Sequence, residues 1–268
     1  QACRLKLVTS ADLSMPLSDE RQELLDSINA SRGCQLAFVR DEFKGDKEIV
    51  LAAVSWFGIE LEYATQDLKR DRAVVHKAVS QNGLALQYAA AELKSDPEIV
   101  MIAVAQFGSA LSYAAVELRS DPAIVAAAVS ATDTSGGLAL KYAARELKSK
   151  HSMVLSAVSH CGLALEHASE ELKANHQIVL AAVTQAGLAL RYAPEELKRD
   201  VEIVMAAVTS AGSALQFAAE ELTGNREVVM RAVSCDGLAL RYASQALQGD
   251  REVVLAAAAN YSFALQYA

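Results

Sequence analysis

The chain has 268 residues, of which 52% are apolar and only 6% aromatic, with 33 acidic against 25 basic side chains and a net charge of −8. That balance repels a phosphate backbone instead of releasing its counterions, which argues against nucleic acid as a partner. The longest apolar runs, such as 253–259, fall far short of the roughly 20 residues that cross a bilayer, so the chain is not expected to be integral to a membrane, although peripheral association with a membrane complex stays open.

Residues 1–20 carry no repeat and are expected to form an extended N-terminal arm. The first residue is Gln1, not Met, so the chain reads as a processed form or a fragment. Cys3, Cys34, Cys161 and Cys235 have irregular separations and no C-x-x-C pair. That is the pattern of free thiols in a reducing intracellular compartment, cytosol or organelle. Residues 21–45 form a degenerate first repeat, in which Gly33, Leu36, Phe38 and Phe43 keep the frame while polar Asn29 replaces valine, as in a terminal cap.

From residue 46 to residue 268 the chain repeats itself. Asp-x-Glu-Ile/Val-Val-x-x-Ala-Val, then Gly-x-Ala-Leu-x-Tyr-Ala, then Glu-Leu-Lys, begins at Asp46, Asp71, Asp96, Asp121, Lys150, Asn175, Asp200, Asn225 and Asp250. A unit this short cannot bury its apolar face alone and must do so against its neighbours. The expected fold is all-α: an α-solenoid, or superhelix, of about ten 25-residue repeats.

Each unit opens on an Asp or Asn placed to cap the free amides of a helix, here named helix A. Pro97 and Pro122 follow at the first helical position, where a missing N–H costs nothing, and Glu48, Glu98, Glu202, Glu227 and Glu252 complement the macrodipole. Apolar residues at i, i+1, i+4 and i+5, as in Ile99, Val100, Ala103 and Val104, give one buried stripe. The glycine that follows, at 58, 83, 108, 137, 162, 187, 212 and 237, is expected to be a left-handed C-cap. Next comes a short helix B, with its leucine and aromatic ring filling the space between layers. A break at Ser169, Pro194 or Ser244 precedes a final Glu-Leu-Lys turn; a continuous helix B is the competing reading. The fourth full unit has four extra residues near 132–136, expected to loop out on one face. The last unit stops inside helix B with Ser262 in place of glycine, which fits a fragment of a longer repeat protein.

The unit seen whole in Asp200-Val-Glu-Ile-Val-Met-Ala-Ala-Val through Gly212-Ser-Ala-Leu-Gln-Phe-Ala-Ala-Glu-Glu-Leu222 resembles an uncharacterised repeat family known as domain of unknown function 4116. The resemblance covers residues 46 to 268. It implies no activity, cofactor or catalytic residue, and it points to an algal or other protist source.

The candidate chemistry is sparse. His151, His160, His167 and His176 cluster with Cys161 and invite a metal, but no H-x-x-x-H pair is present and His167 occupies an aromatic slot. Glu92, Glu117, Glu146, Glu171, Glu196 and Glu221 recur in register with lysine or arginine, as a solvated charged edge does; a catalytic pair needs two unlike environments. The Ser/Thr row that includes Ser55, Ser159, Thr184 and Ser234 has no histidine at a fixed offset and is expected to bond its own helix carbonyls. No catalytic residue, cofactor or metal is therefore assigned.

The positions that do not repeat are the pairs before each glycine. Among them Trp56, Phe57, Asn82, Gln106, Phe107, His160, Gln185, Asp236 and Tyr261 are the candidate partner-binding residues, with local capping as the alternative. A second row, Leu51, Met101, Leu155, Leu180, Met205, Met230 and Leu255, is either a contact strip or covered by the next layer. The expected function is that of a non-enzymatic scaffold mediating protein–protein interaction, a peripheral subunit of a larger assembly. The alternatives are an accessory docking subunit on an organellar membrane complex, or a metal-binding or enzymatic protein using the His151–His176 region.

Overall fold

A computed structural model describes residues 17–31, 36–131, 133 and 136–268, and it is helical with no strand among those residues. Cys3, Gly33, Cys34, Thr132 and the arm up to residue 16 lie outside them. The chain forms two compact units, Gln1–Asp133 and Thr134–Ala268, and each is a stack of the same repeat. The fold is the expected all-α repeat solenoid.

The first unit opens with a helix at Leu17–Ser31, so the last four positions assigned to the extended arm are already helical. Its A helices are Lys47–Trp56, Arg72–Gln81, Pro97–Gln106 and Pro122–Val129. Those of the second unit are His151–His160, His176–Gln185, Val201–Ser210, Arg226–Cys235 and Arg251–Asn260. The caps act as expected: Asp96, for example, accepts from the amides of Glu98 at 2.9 Å and Ile99 at 3.2 Å. Lys150 stands at a cap position without a side-chain bond. The i, i+1, i+4, i+5 stripe is fully buried at Ile178, Val179, Ala182 and Val183, whereas in the last repeat Val254 and Ala258 are only half-buried.

Helix B is a six-residue 3₁₀ helix, as at Gly83–Tyr88 and Gly187–Tyr192. Its bonds span three residues: Ala85 N–H donates to Asn82 O at 2.9 Å and Ala89 N–H to Leu86 O at 3.1 Å. Three residues per turn bring Gly83, Leu86 and Ala89 to one edge, and all three are buried. An α-helical pitch would rotate them apart. The chain then breaks, with Ala89 and Ala90 both extended, before the one-turn helix Ala91–Lys94. Helix B is therefore not continuous with the final turn. The break also ties layers together, since Ala90 N–H donates to Lys69 O at 2.9 Å and Ser244 N–H to Thr223 O at 2.9 Å.

The glycines do not act as left-handed caps. Gly58, Gly83, Gly137, Gly162, Gly187, Gly212 and Gly237 all lack the positive φ such a cap requires. Helix A ends one residue earlier on an extended residue, such as Phe57 at φ −134°, and glycine begins helix B. Glycine is needed there because a Cβ at Gly83 would lie 2.5 Å from Ala103 O in the next layer, and one at Gly137 would lie 2.8 Å from Ala157 O. Ser262 begins the same 3₁₀ helix with a side chain, so the local backbone conformation does not itself demand glycine.

The aromatic slot also differs from expectation. Leu61, Leu86, Leu111, Leu140, Leu165, Leu190, Leu215 and Leu240 are completely buried between layers, whereas Tyr63 is exposed and Tyr88, Tyr113, Tyr142, Tyr192 and Tyr242 are only half-buried. His167 therefore occupies a rim position and not a core one. The Leu/Met row is likewise half-buried from Leu51 to Met230, while Leu255 is 57% exposed.

The degenerate first repeat is joined to the next by an acid. Glu60, where later repeats have alanine, is 7% exposed and accepts from Leu36 N–H at 2.7 Å. Burial pushes its pKa up, and the Leu36 bond opposes that shift.

Candidate functional site

Two edges of the repeat carry the variable residues: the C-terminal ends of the A helices, where the expected partner-binding positions lie, and their N-terminal ends.

At the C-terminal edge, the last A-helix residue of one layer serves the glycine of the layer before it. Gln106 Oε1 accepts from Gly83 N–H at 2.9 Å, and its Nε2 donates to Val79 O and Ser80 O at 3.1 Å. Gln185 accepts from Gly162 N–H at 2.5 Å and donates to His160 O at 3.3 Å. Gln81, Ser210 and Asn260 accept in the same way from Gly58, Gly187 and Gly237, and Asp133 does so from Gly108 at 3.2 Å. The glycine amide starts a helix and has no partner within it, so a neighbouring side chain supplies one, at a net gain of about 1 kcal/mol. Trp56 and Cys235 fill the same slot without accepting such a bond, Trp56 because an indole N–H only donates and Cys235 because its thiol donates to Thr209 O.

The other candidates divide by chemistry. Asn82 and Asp236 cap their own 3₁₀ helices, accepting from Leu84 and Leu238 at 3.0 Å. His160 is exposed, with Nδ1 2.8 Å from Ser156 O. Phe107 is half-buried, whereas Trp56, Phe57 and Tyr261 are exposed, and the Tyr261 ring lies 5.5 Å from that of Phe263. The sequence reading missed the residue after the glycine on this same edge. Ile59 is exposed in the first unit, and Leu138, Leu163 and Leu188 are exposed in the second. The signal was present in the repeated Gly-Leu dipeptide.

The N-terminal edge carries an ion ladder that the sequence reading also missed. In the first unit Arg21 reaches Asp46 and Glu48 at 2.5 Å, Lys47 reaches Asp71 at 2.6 Å, and Arg72 reaches Asp96 at 2.9 Å and also Glu98. The Lys47 ammonium holds the Asp71 carboxyl below the ordinary carboxylate range. In the second unit Arg226 reaches Asp250 at 3.9 Å and also Glu252, and His176 stands at the same repeat position facing Asp200 and Glu202.

The charged edge of the final turns is partly used by the chain itself. Glu92, Glu117, Glu146, Glu171, Glu196 and Glu221 are exposed as expected. Several of the basic residues in register with them fold back: Lys94 donates to Gln87 O at 2.7 Å, and Lys148 to Lys141 O at 2.7 Å. Desolvation lowers the pKa of both lysines. Beside them His167 also has its pKa lowered, chiefly by burial, with Lys148 and Lys141 reinforcing the shift and Glu166 opposing it. The Ser/Thr row bonds its own helix carbonyls, as Ser55 does to Leu51 O at 2.6 Å and Thr184 to Leu180 O at 2.7 Å.

The model of the family described as "Domain of unknown function (DUF4116)" matches residues 27–69, 71–119, 124–173, 151–198, 175–223 and 225–268. The chain belongs to this family. Matches in tandem over both units mark it as a DUF4116 repeat protein, in agreement with the repeat geometry. This DUF4116 chain matches no curated protein and no solved structure at a significant level. None of its helices, among the described residues, is long and apolar enough to cross a membrane.

Proposed function

We propose that this DUF4116 chain is a non-catalytic scaffold that binds protein through the C-terminal edge of its A helices. The observation that carries this reading is the exposure of Trp56, Phe57 and Ile59, neighbours in sequence at the end of one A helix of the first unit. Large apolar side chains of this kind, grouped and open to solvent, are those that anchor protein interfaces. The next layer puts Gln81 and Asn82 at the positions of Trp56 and Phe57, so the repeat has no need of aromatic rings there. Nucleic acid is disfavoured as a partner by the net charge of −8.

The double variant Trp56→Gln, Phe57→Asn installs the residues that the next layer already uses. It is expected to melt within a few degrees of the parent chain and to lose the proteins that co-purify with the parent from its native source. Retention of the same proteins at the same yield would refute the assignment of this edge.

A further inference from the structure

We propose that His176, Asp200 and Glu202 bind one divalent transition-metal ion of the zinc class, a site independent of the partner-binding edge. His176 is the first residue of its A helix, Asp200 caps the next A helix, and Glu202 lies in that helix's first turn. His176 Nε2 is 3.4 Å from Asp200 Oδ2 and 3.7 Å from Glu202 Oε2, and one ligand atom from each residue lies within 4.8 Å of the others. Neither separation is a hydrogen bond of ordinary length. Zinc bonds of about 2.1 Å at the tetrahedral angle put neighbouring ligand atoms about 3.4 Å apart, so the three atoms need little movement to share one ion.

The chain supplies its own comparison. At the same repeat position Arg72 faces Asp96 and Glu98 and Arg226 faces Asp250 and Glu252, and Arg21, one position earlier in the first repeat, faces Asp46 and Glu48. In each case a permanently charged guanidinium neutralises two carboxylates from the next layer. Imidazole, unlike guanidinium, can offer a ring nitrogen as a metal ligand. The His176 layer therefore sets a nitrogen ligand beside two carboxylates, a donor set that a divalent cation complements. An imidazole nitrogen with two carboxylate oxygens selects the zinc class over calcium or magnesium.

Asp200 is already fixed for this role. Its Oδ1 accepts from Glu202 N–H at 2.8 Å and Ile203 N–H at 3.3 Å, leaving Oδ2 turned to the imidazole. The side chains of His176, Asp200 and Glu202 are 44%, 32% and 67% exposed, so water completes the coordination. His151, His160 and Cys161, which the sequence groups with His176, take no part in this triad.

The test titrates the full chain, stripped with EDTA and exchanged into metal-free buffer, with Zn²⁺ by calorimetry and with Co²⁺ by visible absorption. The expected result is saturable binding of one equivalent, with the Co²⁺ bands of a low-coordinate nitrogen and oxygen site. His176→Arg restores the arrangement of the Arg226 layer, so it should fold at least as well as the parent and bind at least about tenfold more weakly. Glu202→Gln should weaken binding by a similar factor. Absence of zinc-dependent heat up to about 1 mM, a millimolar limit being equivalent to scarcely any selective affinity, would overturn the proposal. Equal binding by His176→Arg and the parent would overturn it as well, because the ion would then lie elsewhere.

Discussion

In the second unit, the seam where helix B of one layer meets helix A of the next lies at the opposite end of the A helices from the ladder where His176 faces Asp200, and the two tolerate change to opposite degrees. At the seam Gly187 is packed against Ala207 and Ala211 and Leu190 is completely buried, and the same residue types return in almost every repeat. On the ladder the first A-helix position is His151, His176, Val201, Arg226 and Arg251 in successive repeats. A backbone carbonyl against a glycine leaves no volume to exchange, whereas exposed ions meet across solvent. The seam sets the layer spacing, and chemistry is free to change on the ladder.

The sharpest way to break that contrast is Leu190→Ala set against Leu265→Ala. Leu190 is completely buried and Leu265 is 55% exposed at the same repeat position. The first should cost about 3–4 kcal/mol and the second under about 1 kcal/mol. Urea unfolding followed by circular dichroism reads both, and equal costs would mean that the layers do not share a continuous interior. Gly187→Ala comes next, at about 2–3 kcal/mol, because the new Cβ would lie 2.9 Å from Ala211 N and closer still to Ala207 O. A neutral outcome in the same unfolding experiment would mean that the layers shift to admit the new methyl group.

At the helix ends the effects shrink. Asp96→Ala removes the cap on Glu98 and Ile99 and should cost about 1 kcal/mol in thermal unfolding. The smallest effect is one of pH. Lys47 lowers the Asp71 pKa, so the pair's contribution is present above the ordinary carboxylate value and is lost as pH falls through the folded value. Asp71→Asn should therefore lower stability slightly at neutral pH, match the parent at low pH, and so flatten the acid limb of the stability profile. A Glu60→Gln variant should act with the opposite sign. Burial raises the Glu60 pKa, so the parent's Glu60 contribution is fullest below the ordinary carboxylate value and falls as pH rises through the raised one, a decline the amide removes.

Much of the repeat was legible without coordinates. Asp caps, Pro97 and Pro122 gave the starts of the A helices, the i, i+1, i+4, i+5 stripe gave their buried face, and Pro194 with Ser169 and Ser244 gave the break. The 3₁₀ pitch of helix B was legible only in retrospect, in the third-residue recurrence of Gly83, Leu86 and Ala89. The candidate residues fared unevenly. Gln106 and Gln185 looked free to vary, yet each holds the preceding glycine's amide, a bond between residues 23 positions apart. Trp56 and Phe57 are open to solvent.

The sequence by itself determined the period, the all-α class, the helix starts and the buried stripe, because capping and amphipathic spacing act within a few residues. Tertiary structure alone decided why glycine recurs, which rows reach solvent, and which cation meets which carboxylates. Those outcomes depend on contacts between layers more than 20 residues apart in sequence, such as His176 with Asp200, where stacking geometry sets the distance and local propensity has no hold.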